Sequence, residues 1–313
     1  MFDSIVTLTL HPAIDVTLWV NSLTPGQDNP VRQEMYEAGG KGMNISRTLH
    51  SFGVESVAIA LVGKHNQHRY EQRLRNEGVN YRLIPVDGYS RENISIVQEK
   101  TMTVTRIIRE GFAVNDQIVD EILEELRRNV RANTLVVVTG SMPKGMAYCH
   151  VKRICDLIQE MGGLTAIDLP DLNLDEVREL KPWFIKPNYE ELCSMAGHDD
   201  LDEQEIVRLA REMNSFGVEH VIVSLRDEGL IYSGSGHTIH VAVPAVDAIS
   251  TTGSGDCAIA GFIRSLQEGR SVCRSVMMAA AFGTAACLSP GVSPPARLAV
   301  ANIYQNVQAE EIE

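Results

Sequence analysis

Basic residues are scarce in this 313-residue chain: 28 Lys and Arg stand against 41 Asp and Glu, a formal net charge of −13 with no local basic cluster to offset it. A phosphodiester backbone would be repelled at long range, which excludes nucleic acid as the expected partner. Long hydrophobic runs are missing too. The longest nearly apolar stretch, Val276 to Cys287, is interrupted by Gly283 and is too short for the ~20 residues that cross a bilayer. Cysteines are few, at 149, 155, 193, 257, 273 and 287; they form no C-x-x-C pair and all fall in the second half. Reduced, mostly buried thiols are expected rather than a disulfide framework. Met1 to Ile5 has no basic segment ahead of its apolar run, so it reads as a strand rather than a signal peptide, and a cytoplasmic location is expected. With 44% hydrophobic and 22% charged residues, 12 prolines and 24 glycines, the composition excludes disordered, collagen-like and low-complexity classes.

The length fits one large α/β domain or a domain with an appendage. Ser4 to Leu10, Val57 to Val62, Leu135 to Val138, Leu164 to Ile167, Phe184 to Lys186 and Val221 to Leu225 read as strands. Helices are expected at Met43 to Phe52, Asn66 to Glu77 with Gly78 closing it, and Ala147 to Met161. Such alternation predicts a mostly parallel sheet covered by helices on both faces. Two stretches break the rhythm. Asp15 to Glu37 and Asn93 to Arg109 alternate like half-exposed strands with no helix between, and are expected to form antiparallel pairs in a small second sheet that covers a site.

The segment Ser250-Thr251-Thr252-Gly253-Ser254-Gly255-Asp256 precedes a small-residue helical pattern. Glycines there let the backbone approach a ligand, and the amides of the helix start favour an anion. Asp256 is either a group that accepts a hydroxyl proton or a helix cap. The turn contains a G-x-G-x-x-A lookalike of the dinucleotide fingerprint, but no acidic residue follows at ~20 positions, and Gly39-Gly40-Lys41-Gly42 lacks the phosphate-loop frame. The histidine pairs 65/68 and 237/240 have no accompanying metal-ligand set and read as surface residues.

Gly39-Gly40-Lys41-Gly42-Met43-Asn44 and the Thr252 to Asp256 turn together resemble the paired signatures of the ribokinase-like, PfkB-type carbohydrate kinases. His11-Pro12-Ala13-Ile14-Asp15, Thr139-Gly140-Ser141-Met142-Pro143 and Ile185-Lys186-Pro187-Asn188-Tyr189-Glu190-Glu191 extend the resemblance over nearly the whole chain. Five such motifs in order are highly specific, and they look most like the branch of 1-phosphofructokinase, tagatose-6-phosphate kinase and the minor 6-phosphofructokinase isoform. The resemblance implies a single ribokinase-like α/β/α domain over 1–313, with lid strands from about 15–37 and 91–110. It also implies phosphoryl transfer from ATP, with Mg²⁺ and with K⁺ as a candidate, to a hydroxyl of a ketohexose phosphate of the fructose 1-phosphate or tagatose 6-phosphate class. A homodimer formed through the lid is implied as well.

Carried over position by position, the resemblance makes Asp256 the base and the amides of Gly253, Ser254 and Gly255 its anion hole. Asp15, Gly39, Gly40, Lys41, Asn44, Arg91, Arg106 and Ser141 fall to the sugar phosphate. Lys186, Asn188, Ser224, Arg226, Gly229 and Gly283 fall to the nucleotide, with the Ser289-Pro290-Gly291 loop near the adenine, and Glu191 organises Mg²⁺ through water. Several positions depart from the branch: His11 replaces Asn, Lys144 a second Pro, Arg106 a Glu, and Arg226 a Gly. Arg106 strengthens anion binding or shifts substrate choice; Arg226 either alters nucleotide geometry or reaches the phosphates. These departures keep open a kinase for an unphosphorylated sugar, nucleoside or sugar acid, and a catalytically weak sugar- or nucleotide-binding regulator.

Overall fold

The computed structural model describes residues 2–289 and 291–312, so Pro290 of the expected adenine loop lies outside the described residues. In chain order the elements are β1 (Ser4–Thr9), β2 (Ala13–Val20), β3 (Val31–Gly39), α1 (Lys41–Ser51), β4 (Val57–Gly63), α2 (Gln67–Glu77), β5 (Tyr81–Val86), β6 (Arg91–Gln98), β7 (Thr103–Ile108) and α3 (Asp116–Asn129). They continue with β8 (Thr134–Thr139), α4 (Tyr148–Glu160), β9 (Leu164–Asp168), α5 (Leu174–Leu180), β10 (Phe184–Ile185), α6 (Tyr189–Ala196), α7 (Glu203–Ser215), β11 (His220–Ser224), β12 (Leu230–Gly234), β13 (His237–Ala242), α8 (Ser254–Gln267), α9 (Val272–Ala286), α10 (Arg297–Tyr304) and β14 (Gln308–Glu311).

The apolar runs pair as one ten-stranded sheet, ordered β14-β13-β12-β11-β10-β9-β8-β1-β4-β5. From β11 to β5 the neighbours are parallel; β12, β13 and β14 extend the edge as an antiparallel meander that the sequence rhythm did not resolve. β8, in the interior of the sheet, is buried at every position. Its side chains alternate between two cores, as strand geometry requires. Val136 and Val138 join the layer of α3 to α7, whereas Leu135 and Val137 join the layer of α1, α8, α9 and α10. Each such fully buried side chain contributes roughly 1.5–3 kcal/mol, so the three-layer architecture is held by both faces at once. The small residues of α8 have a packing cause: a Cβ on Gly261 would fall 2.7 Å from the Phe282 ring of α9.

The second sheet has the order β3-β2-β6-β7. Both expected hairpins are antiparallel, but they join through a parallel β2–β6 ladder, so the sheet is mixed. It leaves the main domain at the carboxyl end of β1 and returns into α1, which starts at Lys41 rather than Met43. Ile14, Val16 and Ala38 pack it onto Met43 and Tyr70, while β7 is exposed throughout. The cysteines are unpaired, as expected, but only Cys155, Cys193 and Cys257 are buried; Cys149 and Cys273 are exposed. Among the described residues no helix is long and apolar enough to cross a membrane.

Candidate active site

Parallel strands deliver their carboxyl ends to one edge of the sheet, the usual place for a ligand in an open α/β fold. Asp168 ends β9, Lys186 and Asn188 follow β10, Ser224 ends β11, and Ser141 follows β8. Ser224 sits beside Asn188 through an isolated bridge and donates its N–H to the Pro187 carbonyl at 3.2 Å.

The expected anion turn opens α8. Gly253 is its N-cap, in the left-handed conformation (φ 79°) that glycine adopts without a Cβ penalty. Capping is therefore not the work of Asp256, which lies in the helix's first turn. Its carboxylate accepts a 2.8 Å hydrogen bond from Asn44 Nδ2 of α1 and is 5% exposed. Burial, helped by the charge of Asp168, pushes its pKa up to about 7, against the pull of Asn44, Lys41 and Lys186. Asn44 is itself oriented: Arg47 Nη1 donates to its Oδ1 at 3.5 Å, and Arg47 Nη2 is fixed by Glu77 at 2.7 Å.

Beside Asp256 lies a compact charge cluster. Lys41 Nζ is 3.1 Å from Asp168 Oδ2 and 3.7 Å from Glu191 Oε1, and Lys186 Nζ is 3.8 Å from Asp168 Oδ1. Burial alone would lower the Lys41 pKa, but Asp168, Glu191 and Asp256 hold it well above its ordinary value. Lys41 thus faces the carboxylates of Asp168 and Glu191, close enough to Asp256 to feel its charge. Asp168 was missed from the sequence; a carboxylate ending a buried parallel strand, in Ile167-Asp168-Leu169-Pro170, was the available signal.

A second group gathers under the lid. Asp15 Oδ1 accepts from Asn93 Nδ2 at 2.9 Å, its neighbour across the β2–β6 ladder. Burial raises the Asp15 pKa, and Asn93, Arg91, Arg106 and Arg47 pull it back. Arg91 Nη2 donates to the His11 carbonyl at 3.2 Å, and His11 Nδ1 is 3.2 Å from Ser141 Oγ. Gly39 is required by close approach, since a Cβ there would lie 2.9 Å from Asp15 Cγ. Asn93, like Asp168, was not singled out from the sequence.

Asn188 and Glu191 form a reciprocal capping box at the start of α6: Glu191 N donates to Asn188 Oδ1 at 2.8 Å and Asn188 N to Glu191 Oε2 at 2.9 Å. The cap leaves Glu191 Oε1 turned toward Lys41. Two further expected nucleotide residues have protein contacts of their own. Arg226, expected to contact the nucleotide, is paired with Glu190, lies over the Tyr189 ring at 5.6 Å and has a side chain 67% exposed. It also holds φ 57°, a left-handed conformation that glycine adopts without a Cβ penalty. Gly283 is a packing glycine, with a Cβ position 3.2 Å from the Ser254 carbonyl and 3.3 Å from Ala258 Cβ. Gly229 closes the β11–β12 turn, its carbonyl accepting from Leu225 N at 2.9 Å.

The residues fit a nucleotide triphosphate. A glycine N-cap has no side chain to satisfy the first-turn amides, and Lys186 Nζ stands 3.1 Å from where a Gly255 Cβ would be, over bare backbone. Among the described residues no three His, Cys, Asp or Glu could hold a metal by themselves. Asp168 and Glu191, converging on one ammonium, suit Mg²⁺ instead, which keeps waters and takes phosphate oxygens.

A doubly wound sheet, a β-lid over its carboxyl edge and a glycine turn carrying a buried carboxylate define a ribokinase-like carbohydrate kinase. The chain belongs to the pfkB family carbohydrate kinases, whose sequence profile matches residues 6–298. Among its relatives, the 1-phosphofructokinase of Vibrio cholerae is 29% identical over 264 residues, 83% of this chain and 82% of the relative. The tagatose-6-phosphate kinase of Staphylococcus epidermidis is 28% identical over 282 residues, 89% and 90% of the two chains. In fold, phosphofructokinase-2 from Escherichia coli, solved in complex with potassium, superposes with a TM-score of 0.90 over 98% of this chain and 99% of that one, at 24% identity.

Proposed function

We propose that this protein transfers the terminal phosphoryl group of ATP to a hydroxyl of a ketohexose phosphate, with Asp256 as the base. The observation that carries the reading is the buried Asp256 carboxylate, held by Asn44 at the start of α8 with Lys41 and Lys186 beside it. A base works best when its pKa lies near the working pH, and about 7 meets that requirement. Asp256 takes the acceptor proton as the new bond forms. The first-turn amides of α8, with Lys41 and Lys186, stabilise charge on the transferring group without reorganising. When bound, Mg²⁺ neutralises phosphate charge; Asp168 and Glu191 would hold it through water.

Asp15 and Asn93 hold sugar hydroxyls, with Gly39 keeping the backbone close. Arg91 and Arg106, both near enough to act on the Asp15 charge, suit a phosphate on the sugar. The lid excludes water that would compete as acceptor. Val31 and Tyr36 on β3, with Val104, Ile107 and Ile108 on β7, are exposed apolar residues on its edge strands; they support a homodimer through the lid, which a strict monomer in micromolar sedimentation would refute. The backbone bonds from Ile249 and Ser250 to the Cys287 carbonyl draw together the loops that would hold K⁺, testable by replacing KCl with a tetramethylammonium salt.

The test of function is ADP release with fructose 1-phosphate, tagatose 6-phosphate and fructose 6-phosphate beside an unphosphorylated sugar panel. Turnover is expected with a sugar phosphate and lost by on the order of 10²-fold or more in Asp256→Asn. Preference for an unphosphorylated acceptor, or undiminished turnover in the variant, overturns the reading.

A further inference from the structure

Glu37 is a buried carboxylate, 4% exposed, to which the chemistry above assigns no task. It lies near the end of β3, directly opposite Asp15 across the β2–β3 ladder, so both side chains leave the same face of the lid. Its contacts nevertheless reach out of the lid. The carboxylate covers Gly291, where a Cβ would fall 2.9 Å from Glu37 Cδ and from Oε1, and the Val292 amide lies close enough to lower its pKa. Val292 is in turn packed on the anion turn: its Cγ1 lies 3.5 Å, and its Cα and Cβ 3.6 Å, from the position a Gly253 Cβ would take.

One side chain thus joins the strand that carries Gly39 and faces Asp15 to the loop that backs Gly253, the N-cap of the helix that carries Asp256. Burying a carboxylate is costly unless it is paired and hydrogen-bonded, and here the Asp15 charge adds repulsion that Arg47 and Arg73 offset. An apolar side chain would fill the same space without that cost. What the carboxylate adds is an acceptor set beside the Val292 amide, against the loop that touches Gly253.

We propose that Glu37 is a positioning residue that couples the two substrate sites, so that seating the lid on the acceptor sets the anion turn for the nucleotide through Val292. The proposal rests on the kinase reading. A coupling of this kind is reciprocal and typically amounts to about 5- to 150-fold in affinity.

The experiment measures binding of AMP-PNP with Mg²⁺ by calorimetry, with and without a saturating amount of the sugar phosphate that turns over fastest among the three tested above. In the unmodified protein the sugar phosphate is expected to tighten AMP-PNP binding by about fivefold or more. Glu37→Ala is expected to bring that factor to within about twofold of unity, while AMP-PNP affinity in the absence of sugar moves by less than about threefold. Glu37→Gln, which keeps an oxygen for the Val292 amide, retains the coupling. Gly291→Ala pushes the carboxylate aside from the opposite direction and loses the coupling, which keeps the test available if Glu37→Ala does not fold. Unchanged coupling in Glu37→Ala or in Gly291→Ala, a Gln variant as defective as Ala, or no coupling in the unmodified protein overturns the proposal while leaving the kinase reading intact. Absence of turnover with all three sugar phosphates overturns both.

Discussion

Replacing Asp256 by Asn should make the folded protein more stable at alkaline pH while removing its activity. The Asp256 pKa rises from 3.8 to about 7 on folding, chiefly through burial. At about 1.4 kcal/mol per unit, keeping this carboxylate ionised in the folded state costs about 4 kcal/mol. The folded state binds the proton more tightly than the unfolded chain, so the cost accrues as pH rises from 3.8 through 7 and is complete at pH 8. Asn carries no charge, and its carbonyl oxygen still accepts from Asn44. Urea-unfolding free energies of both proteins at pH 5, 6, 7 and 8 should therefore diverge, the variant gaining up to about 4 kcal/mol at pH 8 and little more than a third of that at pH 5. The difference between the proteins is the quantity to read. His11 and His220, each lowered to about 4 by burial, make stability rise with pH between about 4 and 6.5, but they do so equally in both. A gap independent of pH, or a variant less stable at pH 8, would refute the reasoning.

The acidic limb of kcat/KM, which reports the base in the free enzyme, should move in opposite directions when the neighbours of Asp256 are changed. Asn44→Ala removes a hydrogen bond that lowers its pKa and shifts the limb up, whereas Asp168→Asn removes a like charge and shifts it down; movement in the same direction would exclude Asp256 as the titrating group. Gly39→Ala, with a Cβ 2.9 Å from Asp15 Cγ, should displace Asp15 from Asn93 and raise the sugar KM by about tenfold, the worth of one such hydrogen bond, with the ATP KM within about threefold in initial-rate kinetics. Arg226→Gly relieves a positive φ of 57° and loses an exposed pair with Glu190 and an exposed contact with the Tyr189 ring; its melting temperature should be unchanged or higher.

The parallel interior of the fold was legible because buried strands are written as uninterrupted apolar runs, as in Leu135 to Val138, and because helices end on marks such as Gly78, which is left-handed at the close of α2. The antiparallel edge was not. β12 is buried at every position, like the parallel interior, and meets β13 through Gly234-Ser235-Gly236, so its apolar run does not separate a reversal from another crossover. The parallel β2–β6 ladder was hidden for a different reason: alternation declares a half-buried strand but not its partner, and the partner here is about 80 residues away.

The same limit divides the site. Residues with local signatures, Gly253 to Asp256 and Asn188 to Glu191, could be picked out from spacing. Their tasks depended on contacts across the chain, and those contacts decided between readings that spacing left open. Asp256 differs from a capping aspartate because Gly253 is the N-cap and Asn44, 212 positions earlier, takes its carboxylate. Glu191, by contrast, does cap, and the geometry of capping is what aims its second oxygen at Lys41. Asp168 and Glu37 belong to none of the motifs singled out. Asp168 ends β9 and Glu37 lies near the end of β3, and each gains its meaning only when the fold brings Lys186 to one and Val292 to the other. The place of the glycine turn at a helix start was therefore readable from sequence, whereas the surroundings of Asp256 and the charges that tune it are a property of the fold.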